Sequence, residues 1–151
     1  MNSTGLCKVT GEEIDDNELI EILKAPDAEV YVGSDSHLIG GLWQFATVLC
    51  IYYPGRGGRY FISKEKRTKS EYRSLRDRLF AESMASVNLA TQINDLTGIV
   101  PTIHLDVSNN LAEGSGRFAG ELSSTCRAMG FPVEIKPNSW ASSTIADKGA
   151  R

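Results

Sequence analysis

The order of strand-like and helical segments is the feature that most limits how this chain can fold. β-branched and aromatic runs bounded by glycine and proline predict strands at residues 29–35, 43–53, 59–63, 100–107 and 131–136. Apolar spacing of three to four residues predicts helices at residues 17–24, 70–96, 117–129 and 139–148. Three strands therefore precede the long helix, after which strands and helices alternate.

The core order β-β-β-α-β-α-β-α predicts an α/β fold with a mixed five-stranded sheet. The first three strands are expected to form an antiparallel meander, and the later strands are expected to join the sheet through right-handed crossovers, with helices on both faces. Residues 1–28 are acidic and contain the short helix that Pro26 ends, so they predict an N-terminal extension packed on the domain. Residues 29–151 are predicted to form that domain.

Composition and cysteine usage indicate a globular protein in a reducing compartment. Hydrophobic residues make up 41% and charged residues 23%, which excludes a disordered or collagen-like chain. The three cysteines, Cys7, Cys50 and Cys126, are odd in number and lack zinc-ligand spacing. No secretory leader pattern appears, and no segment approaches the ~20 apolar residues that span a bilayer. We therefore expect a cytoplasmic protein with no membrane partner.

Charge is divided sharply along the chain. Residues 1–29 hold eight acids and two bases, whereas residues 56–78 hold nine bases and three acids. A basic block of this kind can follow a phosphate backbone, but a solvated surface would show the same composition. Both interpretations remain open. The candidate nucleic-acid contacts are Lys64, Lys66, Arg67, Lys69, Arg73 and, from the last strand, Lys136.

Four acidic residues fall at positions where α/β folds place ligands. Asp35 is predicted to end the first strand and Asp106 the fourth, and these strands are expected to be parallel neighbours. Glu82 interrupts the apolar stripe of the long helix, and Asp147 lies on the last helix. Adjacent carboxylates repel unless a cation neutralises them, and Mg²⁺ or Mn²⁺ prefers oxygen ligands. Aspartate is also common at strand ends and helix caps, so each acid alone has a structural explanation.

The resulting hypothesis is a two-metal site that hydrolyses phosphodiesters. Asp35, Asp106 and Asp147 are the candidate metal ligands, and Glu82 joins them as a candidate catalytic residue. Accessory roles are considered for Ser36, His37 and Lys148, although exposure in a loop is the favoured interpretation of His37. His104 is expected to be a hydrogen-bonded core residue.

Three stretches carry a resemblance to a known family: 32–37 (VGSDSH), 103–107 (IHLDV) and 136–148 (KPNSWASSTIADK). Together they resemble the YkuK-type family of ribonuclease-H-like proteins over residues 29–149. The resemblance implies a ribonuclease-H fold with metal-binding acids at Asp35, Glu82, Asp106 and Asp147. His37 stands where proofreading exonucleases of this superfamily carry a glutamate, which disfavours that subclass.

Three functions remain open at this point. The leading hypothesis is a Mg²⁺- or Mn²⁺-dependent nuclease acting on RNA, RNA/DNA hybrid or branched DNA. Its main alternative is a non-catalytic nucleic-acid-binding or scaffold protein, and a phosphohydrolase acting on small nucleotides is the third. Any grip on nucleic acid must come from the core domain or from a partner subunit, for which a homodimer is one arrangement.

Overall fold

The computed structural model describes residues 1–108, 110, 114, 116–136 and 138–141. Its helices and strands are α1 (Asp16–Leu23), β1 (Glu29–Ile39), β2 (Leu42–Tyr53), β3 (Gly57–Thr68), α2 (Leu75–Thr97), β4 (Thr102–His104), α3 (Ala119–Ala128) and β5 (Val133–Glu134). This order agrees with the sequence prediction as far as β5. Most of the predicted last helix, 139–148, lies outside the described residues.

The five strands form one mixed sheet in the order β3-β2-β1-β4-β5. β1 pairs antiparallel with β2, and β2 with β3, whereas β4 lies parallel to both β1 and β5. Gly40 and Gly41 connect β1 to β2 with φ angles of 59° and 80°. Two successive left-handed residues suit a tight hairpin turn that follows the twist of the strands. The predicted mixed five-stranded α/β sheet is therefore confirmed.

The strand lengths differ from the prediction. β1 continues through Ile39, so the prediction that Asp35 ends the first strand is wrong. The tight glycine turn allows pairing with β2 to continue to the very end of the hairpin. β4 covers only Thr102–His104, which leaves Asp106 two residues beyond the strand. β3 extends to Thr68 because β2 pairs with it along its whole length.

Helix α2 begins at Leu75, later than the predicted start at Ser70. The Ser74 side chain accepts a hydrogen bond from the Asp77 backbone N–H at 3.1 Å, which caps the first turn. Lys69–Glu71 forms a separate 3-10 turn before this cap. In the described part of the chain, no helix is both long and apolar enough to cross a membrane.

The main core lies between one face of the sheet and helices α1, α2 and α3, and we call this side the helix face. Its side chains include Leu19, Val32, Leu49, Ile93, Ile103 and Leu122. A smaller cluster on the second face contains Val48, Cys50 and Ala141, with Trp140 packed against it. The described α-helices thus lie on one face only, and the predicted cover of the second face depends on residues outside the described ranges. All three cysteines are free thiols, as predicted.

The N-terminal segment contributes directly to the main core. Leu6, Ile14 and Leu19 are fully buried there. Cys7 exchanges two backbone hydrogen bonds with Ile62 of β3, at 2.8 and 3.0 Å. Since β3 is an edge strand, this pairing satisfies backbone groups that would otherwise be open to another chain.

Candidate active site

The candidate site forms where β1 and β4 separate. Their parallel pairing ends at Gly33 and His104, after which each chain carries an aspartate two residues further on, Asp35 and Asp106. Carboxyl ends of neighbouring parallel strands meet at the same edge of a sheet, which is where open α/β folds bind ligands. Asp35 is 8% exposed, and the Asp106 side chain is 25% exposed. The structure therefore brings these two predicted residues to one place, although Asp35 lies within a strand.

The residues flanking Asp35 face α2. Ser36 Oγ donates a hydrogen bond to Glu82 Oε2 at 3.2 Å. Ser34 Oγ lies 2.8 Å from Ser86 Oγ and donates to Thr47 at 3.0 Å. Because side chains alternate along a strand, Asp35 projects to the second face. Buried hydroxyl groups thus join β1 to α2 directly beneath the candidate site.

Asp35 is held by two neighbours in the chain. The backbone N–H of Ser36 donates to Asp35 Oδ1 at 2.9 Å. His37 Nε2 lies 3.3 Å from Asp35 Oδ2. The favoured prediction of a loop-exposed His37 is wrong, because β1 continues past this residue and the His37 side chain is only 31% exposed. His37 and Ser36 both lie at the site, as the accessory hypothesis proposed.

Asp106 faces a cation from the last strand region. Lys136 Nζ lies 3.2 Å from Asp106 Oδ1, close enough for an ion pair. This carboxylate oxygen is nevertheless buried and receives no hydrogen bond from the described residues, so the ion pair lacks good hydrogen-bond geometry. Asp106 Oδ1 therefore retains lone pairs that can accept a hydrogen bond from another donor or bind a metal ion.

Glu82 of α2 is acted on by the negative charges of both Asp35 and Asp106. It is 6% exposed, and burial raises the pKa of its carboxyl well above the ordinary value. The negative charge of Asp35 raises this pKa further, Arg78 lowers it, and Asp106 raises it again. Like charges disfavour ionisation of a neighbouring acid, so the three carboxylates share one field. Glu82 is thus close enough to sense both aspartates, as its break in the apolar stripe suggested.

A cavity of about 10 Å³ lies between the strand ends and α2. Polar side chains of Ser34, Glu82, Ser83, Ser86 and Asp106 contribute to its wall. Such a volume accommodates about one water molecule, and the site offers enough polar partners for it. Ser83 and Ser86 were not singled out from the sequence. Ser86, four residues after Glu82, lies on the same helix face, and this spacing was the available signal for it. Ser83 is adjacent to Glu82 in the chain, and its spacing gave no such signal.

His104 has the structural role that was predicted for it. It is 1% exposed, and its Nδ1 accepts a hydrogen bond from the Ala141 backbone N–H at 3.1 Å. Burial lowers the pKa of His104 to about 4, so the neutral ring is the form that packs here. The imidazole lies against the rings of Tyr31 and Trp140, with centroids 4.6 and 5.1 Å away. This cluster anchors the chain around residue 140 on the second face.

The predicted basic block is divided between the two faces of the sheet. The strand register aligns Asp35 with Ala46 and Lys64 in one row, and aligns His37 with Gln44 and Lys66 in the next. Paired residues point to the same side, so Lys64 and Lys66 share the second face with Asp35. Both lysines are exposed.

Arg67 is not grouped with these lysines. It lies on the helix face, where it pairs with Glu65 at 3.0 Å and stacks on the rings of Phe45 and Tyr72. These contacts explain its position without a nucleic acid, so the structure separates Arg67 from the predicted group. Lys69 and Arg73 are exposed in the connection between β3 and α2.

Two predicted site residues, Asp147 and Lys148, lie outside the described residues. Within the ranges that the structure describes, no group of three or more histidine, cysteine, aspartate or glutamate side chains is arranged to hold a metal ion. Asp35, Glu82 and Asp106 do not form such a group by themselves. The metal-binding prediction therefore depends also on Asp147, which is not among the described residues.

The strand order, the parallel β1–β4 pair and the acids beyond their last paired residues define an α/β domain with a site at its strand ends. A family model described as "Ribonuclease H-like" matches residues 17–151, nearly the whole chain. The chain belongs to this ribonuclease H-like family. Searches among curated proteins and among solved structures gave no match.

Proposed function

We propose that this protein is a divalent-metal-dependent nuclease that hydrolyses phosphodiester bonds of RNA, RNA/DNA hybrid or branched DNA. The observation that carries the proposal is that Asp35 and Asp106 each follow the last β1–β4 pair by two residues, and that the charges of both act on the buried Glu82 of α2. Membership of the ribonuclease H-like family supports the same reaction class. Within that family, the stretch from Lys136 through Lys148 favours the YkuK-type group.

The chemistry of the donor set fits Mg²⁺ or Mn²⁺. These ions prefer hard oxygen ligands, and Asp35, Asp106, Glu82 and Asp147 are the residues that would hold them. Asp106 Oδ1 is buried and receives no hydrogen bond from the described residues. Burial raises the pKa of Glu82, and the negative charges of Asp35 and Asp106, which a cation would compensate, raise it further. Metal ions held by these residues would supply an activated water and would stabilise the leaving oxygen of the phosphodiester.

The chain's own side chains would hold the substrate around these acids. Lys64 and Lys66 lie on the face that carries Asp35, so a phosphate backbone crossing β3 toward β1 would meet the lysines before the carboxylate. Strands lie about 4.8 Å apart, which places the β3 row about 10 Å from the β1 row. That separation corresponds to about three phosphates of one nucleic-acid strand, which are spaced about 3.4 Å apart along the duplex axis. Ser36 would keep the Glu82 carboxylate in place through its 3.2 Å hydrogen bond.

A non-catalytic nucleic-acid-binding role is the second candidate, and one observation favours it. His37 lies 3.3 Å from Asp35, and Lys136 lies 3.2 Å from Asp106. Two of the three acids therefore already have a basic neighbour, which could replace a metal ion in balancing their charge. The following measurement separates the two candidates.

Addition of Mn²⁺ is expected to raise the melting temperature of the protein. A ligand that binds only the folded state stabilises it by about 2.7 kcal/mol at a hundredfold excess over Kd, or roughly 5–10 °C for a chain of this size. Asp106→Asn should remove most of this shift because it removes a ligand charge. Asp95→Asn, at an exposed position of α2, is the matched control and should keep the shift. No shift in the unaltered protein would favour the non-catalytic role.

Neutralising Lys64 and Lys66 together is expected to weaken nucleic-acid binding and flatten its salt dependence. Each lost phosphate contact lowers the slope of log K against log salt by about 0.9 on duplex DNA, so the pair should lower it by about 1.8. Lys64→Gln with Lys66→Gln tests this by binding titrations at several salt concentrations. The control is Arg59→Gln with Lys24→Gln, since Arg59 lies on β3 opposite the core residue Ile51 and faces away from Asp35. Equal slopes for the two double variants would contradict a role for the lysines.

A further inference from the structure

The hairpin of β1 and β2 extends well beyond the rest of the sheet. Pairing of β1 with β4 ends at Gly33, whereas pairing with β2 continues to Ile39 and Leu42. β3 accompanies β2 to the same level, with Leu42 paired to Thr68. At about 3.3 Å per residue, a three-stranded ribbon projects roughly 20 Å past the last β1–β4 pair. Asp35 lies at the base of this ribbon.

The tip of the ribbon is apolar and exposed. Leu38 and Ile39 are each 45% exposed, and Leu42 is 38% exposed. They surround the Gly40-Gly41 turn, whose two left-handed residues give a short connection rather than a long loop. The tip is therefore a narrow apolar edge supported by three strands. Neither the core nor the carboxylate site uses these side chains.

Basic side chains outnumber acidic ones near the tip, where Glu65 and Glu71 are the neighbouring acids and Glu65 pairs with Arg67. Trp43 and Gln44, the residues after Leu42, pair with Arg67 and Lys66 of β3. The connection to α2 adds Lys69 and Arg73 as exposed cations. An apolar edge between cationic flanks is complementary to nucleic acid, in which bases stack behind charged phosphates. Proteins that bend or open duplexes insert leucine or isoleucine between base steps in this manner.

We infer that the apolar tip formed by Leu38, Ile39 and Leu42 is a wedge that stacks against the exposed base pair of a forked or branched duplex. The inference rests on the nucleic-acid binding in the proposed function and adds the class of substrate. Four residues separate Ile39 from Asp35, about 13 Å along the strand. Bases are spaced about 3.4 Å apart along one strand, so the wedge would hold a fork about four nucleotides from the carboxylates.

The test measures binding without metal, so that catalysis does not enter. The unaltered protein in EDTA is titrated with a forked DNA duplex and with a fully paired duplex of the same length. The forked duplex carries 2-aminopurine in the base pair that borders the fork, and the paired duplex carries it at the same position of the sequence. We expect about tenfold tighter binding of the fork, which corresponds to about 1.4 kcal/mol and to burial of roughly 55 Å² of apolar surface against the exposed base pair. The 2-aminopurine fluorescence should change on the fork alone, because only there is a base pair exposed to contact with the tip.

The variant Leu38→Thr, Ile39→Thr, Leu42→Thr should lose both the preference and the fluorescence change while keeping its salt slope. Threonine preserves the strand propensity of these positions, and the melting temperature checks the fold. Ile39→Thr alone provides a milder variant, expected to lose part of the preference. The control is Val9→Thr with Val100→Thr, exposed apolar residues elsewhere that should leave binding unchanged.

Each remaining outcome decides against the wedge. If the unaltered protein binds both duplexes equally, or if the tip variant keeps the fork preference, the inference is wrong while the proposed nuclease function stands. If the protein binds neither duplex, the wedge inference is wrong and branched DNA is removed from the proposed substrates, which leaves RNA and RNA/DNA hybrid. If light scattering shows that the tip variant loses a dimer and retains its fork preference, the tip is a self-association surface.

Discussion

Asp35→Asn is expected to lower metal-dependent phosphodiester cleavage by on the order of 1,000-fold while the protein stays folded. Asparagine keeps the volume and one oxygen that can accept the Ser36 backbone N–H, but it loses the charge that would hold a divalent cation. The measurement is the initial cleavage rate of RNA, hybrid and branched DNA with Mg²⁺ and with Mn²⁺. Asp95→Asn serves again as the control and should leave the rate unchanged.

The stability of the same variant distinguishes a catalytic from a structural aspartate. In the folded protein the pKa of Glu82 is raised by burial and by the charge of Asp35. A raised carboxyl pKa makes folding progressively less favourable as the pH rises above the unfolded value of about 4.5 toward the folded value. Removing the Asp35 charge reduces this penalty, so the metal-free variant should melt at the same temperature or higher at neutral pH. An unfolded variant would show that Asp35 is structural, and full activity would place the chemistry elsewhere.

Ile103→Ala is expected to cost about 3 kcal/mol of unfolding free energy, which lowers the melting temperature by roughly 6–12 °C. Ile103 is fully buried at the centre of β4, between Val32 of β1 and Val133 of β5. Loss of this side chain leaves a cavity beside the point from which Asp106 emerges, so metal binding should weaken as well. Thermal and denaturant unfolding measure the first effect.

Val100→Ala provides the matched comparison on the same segment. Val100 is 51% exposed, so its truncation should change the unfolding free energy by less than about 0.5 kcal/mol. Similar losses for the two variants would mean that the segment before β4 is far more constrained than its exposure indicates. A small loss for Ile103→Ala would mean that the core beside β4 collapses to fill the space.

Sequence periodicity was sufficient for the arrangement of the sheet because the relevant signals are local. The apolar runs of β1, β2 and β4, the glycine turn at Gly40-Gly41 and the long uninterrupted helix each follow from residues close together in the chain. Crossover handedness then makes β1 and β4 parallel neighbours. Asp35 and Asp106 could therefore be expected at one edge of the sheet, and the break in the stripe of α2 singled out Glu82.

Strand limits and side-chain faces required the tertiary structure. Asp35 looked like the end of a strand because a polar residue normally stops a buried run, yet pairing with β2 supports four more residues. The nine bases of residues 56–78 looked like one surface, but the register of β3 sends Lys64 and Lys66 to the side of Asp35 and Arg67 to the other. Composition carries no information on this division between faces, which follows only once pairing with β2 is known to extend β3 to Thr68.

The sequence by itself thus indicated the class of fold and the positions of Asp35 and Asp106 just beyond the last β1–β4 pair, since both depend on local periodicity and short-range rules of chain connection. Only the tertiary structure decided that Ser36 holds Glu82, that His37 lies beside Asp35, and that the ribbon beyond Gly33 ends in an apolar tip. The Ser36–Glu82 contact depends on the packing of α2 against the sheet, whereas the His37–Asp35 contact and the apolar tip depend on the pairing with β2 that continues β1 past Asp35. Packing and pairing of this kind are set by geometry across the fold, which periodicity along the chain does not reveal.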